Sequence, residues 1–315
     1  MKNLRKTISN IYRNSDLGYN ILRPFYKIYE LGLSLISDEY IVKRSFKKHL
    51  GYSIDLNNPQ TLNEKINWLK LYNRKDLHTV IADKFKVRAY IKEKIGEEYL
   101  IPLLYHTVTP KDIRPENLPD TSFIIKANHD SSGGVIVRDK SKVEWNIVRS
   151  HLRKALSENH YLSTREWQYK NIRPRIIVEK LLTYDDGSIP YDYKFHCFNG
   201  KVAFLGVDIG RFSEQRTRNL YDTKWNLLPC NWGRPNGVDV AKPTNFEEMK
   251  TLAEKIAEDF TYIRVDFYAV NGKTYFGELT LHHSSGFRKF DQEECDQKLG
   301  KLLNIDYQKT KRESN

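Results

Sequence analysis

Two carboxylates carry the clearest chemistry in this chain. Asp266 and Glu278 sit in otherwise apolar runs, Arg264-Val-Asp266-Phe-Tyr and Tyr275-Phe-Gly277-Glu278-Leu, joined through Asn271-Gly272. A carboxylate inside a buried strand is costly unless it is paired or bound to metal. Two that face each other form a hard-oxygen site of the kind magnesium favours. A strict two-residue hairpin loop would pair residue 266 with 277 and put the carboxylates on opposite faces. A one-residue bulge pairs 266 with 278 and brings them together. The chemistry predicts that bulge.

Phosphate chemistry is suggested by Phe123-Ile-Ile-Lys126-Ala-Asn-His-Asp-Ser131-Ser132-Gly133-Gly134. A strand ends in a lysine and passes into a small polar loop whose glycines let backbone N–H groups turn toward a ligand. The lysine adds a point charge suited to phosphate. In Arg175-Ile-Ile-Val-Glu179-Lys180-Leu-Leu182 a buried strand surfaces at a charged hinge. Other reactive types read as packing. Cys197 and His196 lie on an alternating strand, and adjacent His282 and His283 point to opposite faces. Arg211, just past a strand end, is placed to hold an acidic sugar.

These residues need strands to hold them. The period-two pattern predicts strands over 100–108, 122–127, 134–138, 176–182, 191–198, 201–208, 262–270 and 274–281. Asn199-Gly200 and Asn271-Gly272 signal hairpins. Helices are predicted from the capping box Thr61-Leu-Asn-Glu64 to Tyr72, over 81–95 with Phe85, Ala89, Ile91 and Ile95 inward, and over 143–157. A further helix over 245–259 opens with Asn245-Phe-Glu-Glu248, a second capping box. The stretch 210–243 reads as loop. Hairpins outnumber strand–helix–strand units, so the fold class is α+β with mostly antiparallel sheet.

The 315 residues are 39% apolar and 29% charged, enough for a sizeable core and against wholesale disorder. No run of about 18 apolar residues is present to span a bilayer. Three cysteines at wide spacing predict neither a disulfide framework nor a zinc site and fit a reducing cytosol. Residues 1–50 hold ten Lys and Arg against four Asp and Glu, half of the net charge of +12. That block, with its helically spaced apolar and aromatic residues, suits an anionic membrane surface or simply a solvated cap. No nucleic-acid motif accompanies the charge, so no nucleic-acid partner is expected. The expected organisation is a basic helical region over 1–78, a catalytic region over 79–307 and a disordered tail over 308–315.

The order of these elements resembles the ATP-grasp enzymes, and more closely the TupA-like branch associated with bacterial cell-surface polysaccharides. The resemblance rests on Asn58-Pro-Gln-Thr-Leu-Asn-Glu-Lys-Ile-Asn-Trp-Leu-Lys70, Ala82-Asp-Lys-Phe-Lys-Val-Arg88, Ile95-Gly-Glu-Glu-Tyr-Leu-Ile-Pro102, Asp192-Tyr-Lys-Phe-His-Cys-Phe-Asn-Gly200, Phe276-Gly-Glu-Leu-Thr280 and Asp296-Gln-Lys-Leu-Gly300. It implies an ATP-grasp fold with a helical N-terminal extension. It also implies ATP and Mg2+ as cofactors, with Arg88 and Lys126 on the phosphates and Ser131, Ser132, Gly133 and Gly134 in the closing loop. Glu179, Lys180 and Leu182 would form the adenine hinge, and Asp192, with Lys194 on its strand face, would hold the ribose. Arg264 would neutralise the transferring phosphoryl group, while Asp266 and Glu278 hold magnesium. Thr280, the third residue expected at the metal, stands where most ATP-grasp enzymes have Asn, and Ser285 and Gly286 fall where the acceptor sits.

The activity so implied is a carboxylate–amine ligase acting through an acyl phosphate. Its expected partners are an acidic glycan or a lipid-linked glycan precursor, and an amino acid or other amine. The expected location is the cytoplasm, peripheral to the inner face of the cell membrane. A glycosyltransferase, a sugar kinase using the same cleft, and a non-catalytic polyanion- or membrane-binding protein are the alternatives.

Overall fold

A computed structural model describes residues 12, 15–129, 134–210 and 215–306. Ser131, Ser132, Gly133, Arg211 and the tail expected over 308–315 lie outside the described residues. Helix α1 (Asp16–Ser34) is capped by Ser15, and α2 (Asp38–Leu50) by Ser37, with Gly51 in the left-handed region closing it. Helix α3 (Leu62–Tyr72) carries the full capping box of Thr61 and Glu64.

The single helix expected over 81–95 is two, α4 (Asp76–Ala82) and α5 (Val87–Lys94). The break falls at Asp83. Its carboxylate accepts from the Phe85 backbone at 2.9 Å and from the Asn128 side chain at 2.8 Å. A short acidic side chain that bonds nearby backbone competes with the helix, and here it wins. Ala89 is therefore exposed, and Val87 and Ile91 are the buried pair.

Strands β1 (Leu103–Thr107), β2 (Phe123–Ala127) and β3 (Val135–Val137) come next, followed by α6 (Trp145–Ser157), α7 (His160–Thr164) and β4 (Ile176–Lys180). The rest is β5 (Asp192–Phe198), β6 (Lys201–Ile209), β7 (Thr217–Tyr221), α8 (Phe246–Ala257), β8 (Tyr262–Val270), β9 (Lys273–Thr280) and α9 (Glu293–Leu302). Strand β7 and helix α9 were not expected, and β7 interrupts the stretch read as loop. The capping box expected at Asn245 does not form: its side chain accepts no helix N–H, and its amide donates to Thr274 Oγ1 at 2.7 Å, which in turn donates to Glu248. Both Asn-Gly turns have positive φ at both residues, the two-residue hairpin geometry that matches strand twist.

Two antiparallel sheets result, in the orders β1-β4-β2-β3 and β7-β6-β5-β8-β9. One face of the first packs Phe123, Ile125, Ile176 and Val178 against Val148 and Leu152 of α6. One face of the second buries Phe195, Cys197, Val265 and Phe267 against α8. Its other face is split along the strands. At one end Phe198, Phe204 and Tyr262 lie in a core with Phe46, Ile66 and Leu299 from α2, α3 and α9. At the other end the same alternation presents Asp192, Lys194, Asp208, Arg264 and Asp266.

Cys230 and Cys295 form a disulfide, which corrects the expectation of none. They are 65 residues apart, and tertiary packing alone joins them. Trp232 stacks on Phe290 at 4.6 Å and pairs with it as an isolated bridge, drawing the segment after β7 onto the approach to α9. Cys197 is a buried free thiol.

Candidate active site

The hairpin β8–β9 has the predicted irregularity. Arg264 pairs with Thr280 and Asp266 with Glu278, but Phe267 pairs with Phe276, so Gly277 is the extra residue. Asp266 and Glu278 therefore share a face. A Cβ on Gly277 would lie 3.0 Å from the Tyr268 ring and 3.1 Å from the Asp266 carbonyl oxygen, so the bulge is tight enough to favour glycine.

Arg264 binds both carboxylates. Its Nε and Nη2 fork onto Asp266 at 2.6 and 2.7 Å, and Nη2 also reaches Glu278 Oε1 at 2.8 Å. Burial opposes the guanidinium charge, yet Asp266 and Glu278 raise its pKa above the usual value. Lys194 Nζ lies 2.7 Å from Asp266 and 3.4 Å from Asp192, linking the acid expected to hold the ribose to one expected to hold metal. Thr280 Oγ1 donates to Glu278 at 3.3 Å.

Sequence reasoning left four members of this cluster without an individual role. Lys84 Nζ is 3.7 Å from Glu278 Oε2. Asp208 lies opposite Asp192 on β6 and pairs with Arg218 on β7. Burial alone would raise the Asp208 carboxyl, but Arg218, Lys194 and Arg264 hold it below the usual carboxylate range. His283 is wedged between Arg264 Nη1 at 2.7 Å and Arg218 Nη1 at 3.1 Å. Burial, then those two cations, depress its pKa far below normal and keep the ring neutral. The strand-favouring Thr217 and Tyr221 that bound this segment were the available signal for Arg218.

Apart from Asp266, which is buried behind Arg264 and Lys194, these groups line one cavity of about 280 Å³. Ser285 also lines it and donates to Glu166 at 2.6 Å, while Lys70 holds the Ser285 carbonyl from below at 2.7 Å. Gly286 is buried, and its carbonyl accepts from Asn67 at 2.7 Å. It shapes the loop from beneath, and the structure does not bring it to the cavity wall. His282 also lines the cavity, and its Nδ1 lies 3.2 Å from the Gln168 amide.

The second face of the smaller sheet carries the expected phosphate ligands. Lys126 Nζ lies 2.9 Å from Glu179 Oε2, and Arg88 Nη1 lies 3.1 Å from Glu179 Oε1. One buried carboxylate thus aligns both expected phosphate ligands. Gly134 has φ +82, and a Cβ there would meet the Ile125 carbonyl at 2.4 Å and Lys126 Cγ at 2.8 Å. Only glycine lets the loop return so closely over the lysine. Ile124, Lys126, Lys180 and Leu182 line a small apolar slot whose other wall includes Tyr268, two residues along β8 from Asp266. Tyr268 thus brings the strand that carries Asp266 against the strand that carries Lys126.

This donor set fits the cofactors. Two hard carboxylate oxygens on one face, beside Thr280, suit an ion that draws its remaining ligands from phosphate and water, the usual arrangement for Mg2+. The slot suits an apolar planar base. Among the described residues no group of three or more His, Cys, Asp or Glu is gathered to hold a metal without such help.

The sequence pattern of the TupA-like ATP-grasp family matches residues 64–304. No curated protein matches the chain. Similar solved structures include D-alanine–D-alanine ligase from Bacillus anthracis complexed with ATP, at 15% identity over 78% of this chain and 83% of that one, with TM-score 0.43. The ADP complex of PurK, N5-carboxyaminoimidazole ribonucleotide synthetase, is 13% identical over 70% of this chain and 51% of that one, with TM-score 0.41. ATP-grasp ligase PsnB complexed with a minimal precursor is 13% identical over 67% of this chain, with TM-score 0.39, and the chain spans only 54% of PsnB's length.

Proposed function

The chain belongs to the TupA-like ATP-grasp family, and from that premise we propose that it is an ATP- and magnesium-dependent ligase joining an amine to a carboxylate of an acidic cell-surface polysaccharide or its lipid-linked precursor. ATP-grasp ligases use ATP and Mg2+. The observation that carries the reading is the bulged pairing of Asp266 with Glu278, gripped by Arg264 at the floor of the cavity.

In this reading the acceptor carboxylate attacks the terminal phosphoryl group of ATP, giving an acyl phosphate and ADP. The amine then attacks the acyl carbon, the carbon–oxygen bond to phosphate breaks, and amide and phosphate leave. Magnesium, when bound, offsets phosphoryl charge. Arg264 and Lys126 add fixed positive charge where it develops, and Asp266 and Glu179 hold those cations in place. Neutral His283 spaces Arg264 from Arg218 without adding charge of its own.

An acidic acceptor is supported by the arginines gathered at and near the cavity. Arg216 and Arg218 line the cavity. Partial burial, then the charges of Arg216, Arg218 and Arg288, lower the pKa of Arg234 despite Asp208. Arginines gathered in this way bind carboxylates well.

The test is phosphate release from ATP by the purified protein with a uronic acid oligosaccharide and an amino acid. Release that needs both co-substrates, with an amide seen by mass spectrometry, is expected. ADP formation with the sugar alone and a phosphorylated sugar product would make it a kinase. Turnover of a nucleotide sugar without ATP would make it a glycosyltransferase.

A further inference from the structure

Helix α1 carries a second, unrelated surface. Leu17, Ile21, Phe25, Ile28, Leu31 and Leu35 recur every three or four positions along one line of this helix and into its C-cap. They point away from the protein, with exposures of 71%, 57%, 67%, 69%, 65% and 83%. The inward line is a different one, through Gly18, Tyr19, Leu22 and Leu33. A 19-residue helix is about 28 Å long, and no charged residue interrupts its outer stripe. Scattered exposed leucines are ordinary, but a continuous stripe of this length marks a docking surface.

We propose that this stripe lies on an anionic membrane surface. Residues 1–50 carry ten basic side chains against four acidic ones. Three of those acids are engaged by cations: Asp16 by Lys154 at 2.8 Å, Asp38 by Arg74 at 2.7 Å and Glu39 by Lys43 at 2.6 Å. Lys27 on α1 and Lys47 and Lys48 on α2 are exposed. Exposed Tyr29 and Tyr40 add the amphipathic rings that settle at headgroup level. No described helix is long and apolar enough to cross a membrane, so the stripe would lie in the interface plane. Pairing with a second copy is disfavoured, because a two-fold interface would set this basic segment against itself.

The placement also bears on the proposed reaction. A cavity of about 210 Å³ beside α1 is lined by Tyr26, Lys27 and His160, and His160 also lines the catalytic cavity. If the ligase reading holds, docking through α1 presents a lipid-linked acceptor close to Ser285 and Arg264. The membrane proposal itself stands without that reading.

Co-sedimentation of the full chain with vesicles of phosphatidylcholine, alone or mixed with phosphatidylglycerol, tests it. Binding at least tenfold stronger to the anionic vesicles is expected. The double change Ile28→Asp and Leu31→Asp should lower that binding at least tenfold with an unchanged melting curve. Lys27→Glu with Lys48→Glu should weaken it while the stripe stays intact. Absent binding to either vesicle, equal binding to both, or undiminished binding by the Asp variant would overturn the proposal. So would a dimer in sedimentation velocity that the Asp variant splits. ATP turnover on soluble substrates should be the same in wild type and Asp variant, so failure of the ligase reading would be seen separately.

Discussion

Asp266 faces Glu278 across β8 and β9 because Gly277 is an extra residue on the second strand. Had the hairpin kept strict register, Glu278 would point into the apolar layer under α8. The bulge thus converts two strand acids into a site. Asp266→Asn and Glu278→Gln should each weaken Mg2+ dependence by no less than about tenfold, the loss typical even of residues behind a metal's direct ligands. Titrating MgCl2 against the ATP-dependent rate checks this, and unchanged half-saturation in both variants would dismiss the pair as metal ligands.

Arg264 makes a fork to Asp266 and touches Glu278 and His283 with the same planar group. Lysine keeps the charge and loses the fork. Arg264→Lys is therefore expected to lower kcat by roughly 10²–10³-fold, the scale seen when one transition-state donor is removed. The fold should persist by circular dichroism. A kcat within threefold of wild type would show that charge alone suffices there.

Asp296 gives a stability prediction with a defined pH window. It accepts from the Asn63 backbone at 3.0 Å and from the Asn63 amide at 2.8 Å, and burial raises its pKa from 3.8 to about 6. The folded state then binds a proton more tightly than the unfolded state, so this group's contribution falls as pH rises between about 4 and 6. Two pKa units correspond to about 3 kcal/mol at most. Asp296→Asn removes the buried charge, and Asn63 can turn its otherwise unbonded Oδ1 toward the new amide. The variant should melt higher than wild type at pH 7 and no higher at pH 4.

The Cys230–Cys295 bond closes a 65-residue separation. The chain-entropy estimate for such a loop is about 4 kcal/mol. Incubation with a reductant, or Cys295→Ser, should lower Tm by several degrees. Intact mass under non-reducing conditions should be two hydrogens below that of the reduced chain. Equal masses would show that the thiols stay apart.

What could be read from the sequence was whatever left a local chemical anomaly. Acids inside apolar strands betrayed Asp266 and Glu278, and an Asn-Gly turn fixed the hairpin that carries them. Lys126 stood out at a strand end before glycines. The partners that organise those residues were hidden, because each arrives from a distant segment. Glu179 joins Arg88 to Lys126 across 91 and 53 residues, and Ser285 meets Glu166 across 119. Arg218 sits on a five-residue strand without polar–apolar alternation, inside a stretch punctuated by Gly210, Gly233 and Pro235. The break at Asp83 escaped notice because a helical period continues on both sides, while the tie that breaks it runs to Asn128.

The most direct measurement is calorimetric titration of ATP into wild type and Lys126→Met, with and without Mg2+. Lys126 bonds Glu179 and faces the slot under Tyr268, so the account requires wild type to bind ATP only weakly without the ion and tightly with it. The Met variant should lose at least about tenfold, as expected when a charged group's bond worth 1.5–3 kcal/mol is removed. Equal ATP affinity in both proteins, indifferent to magnesium, would contradict the nucleotide cleft on which the rest depends.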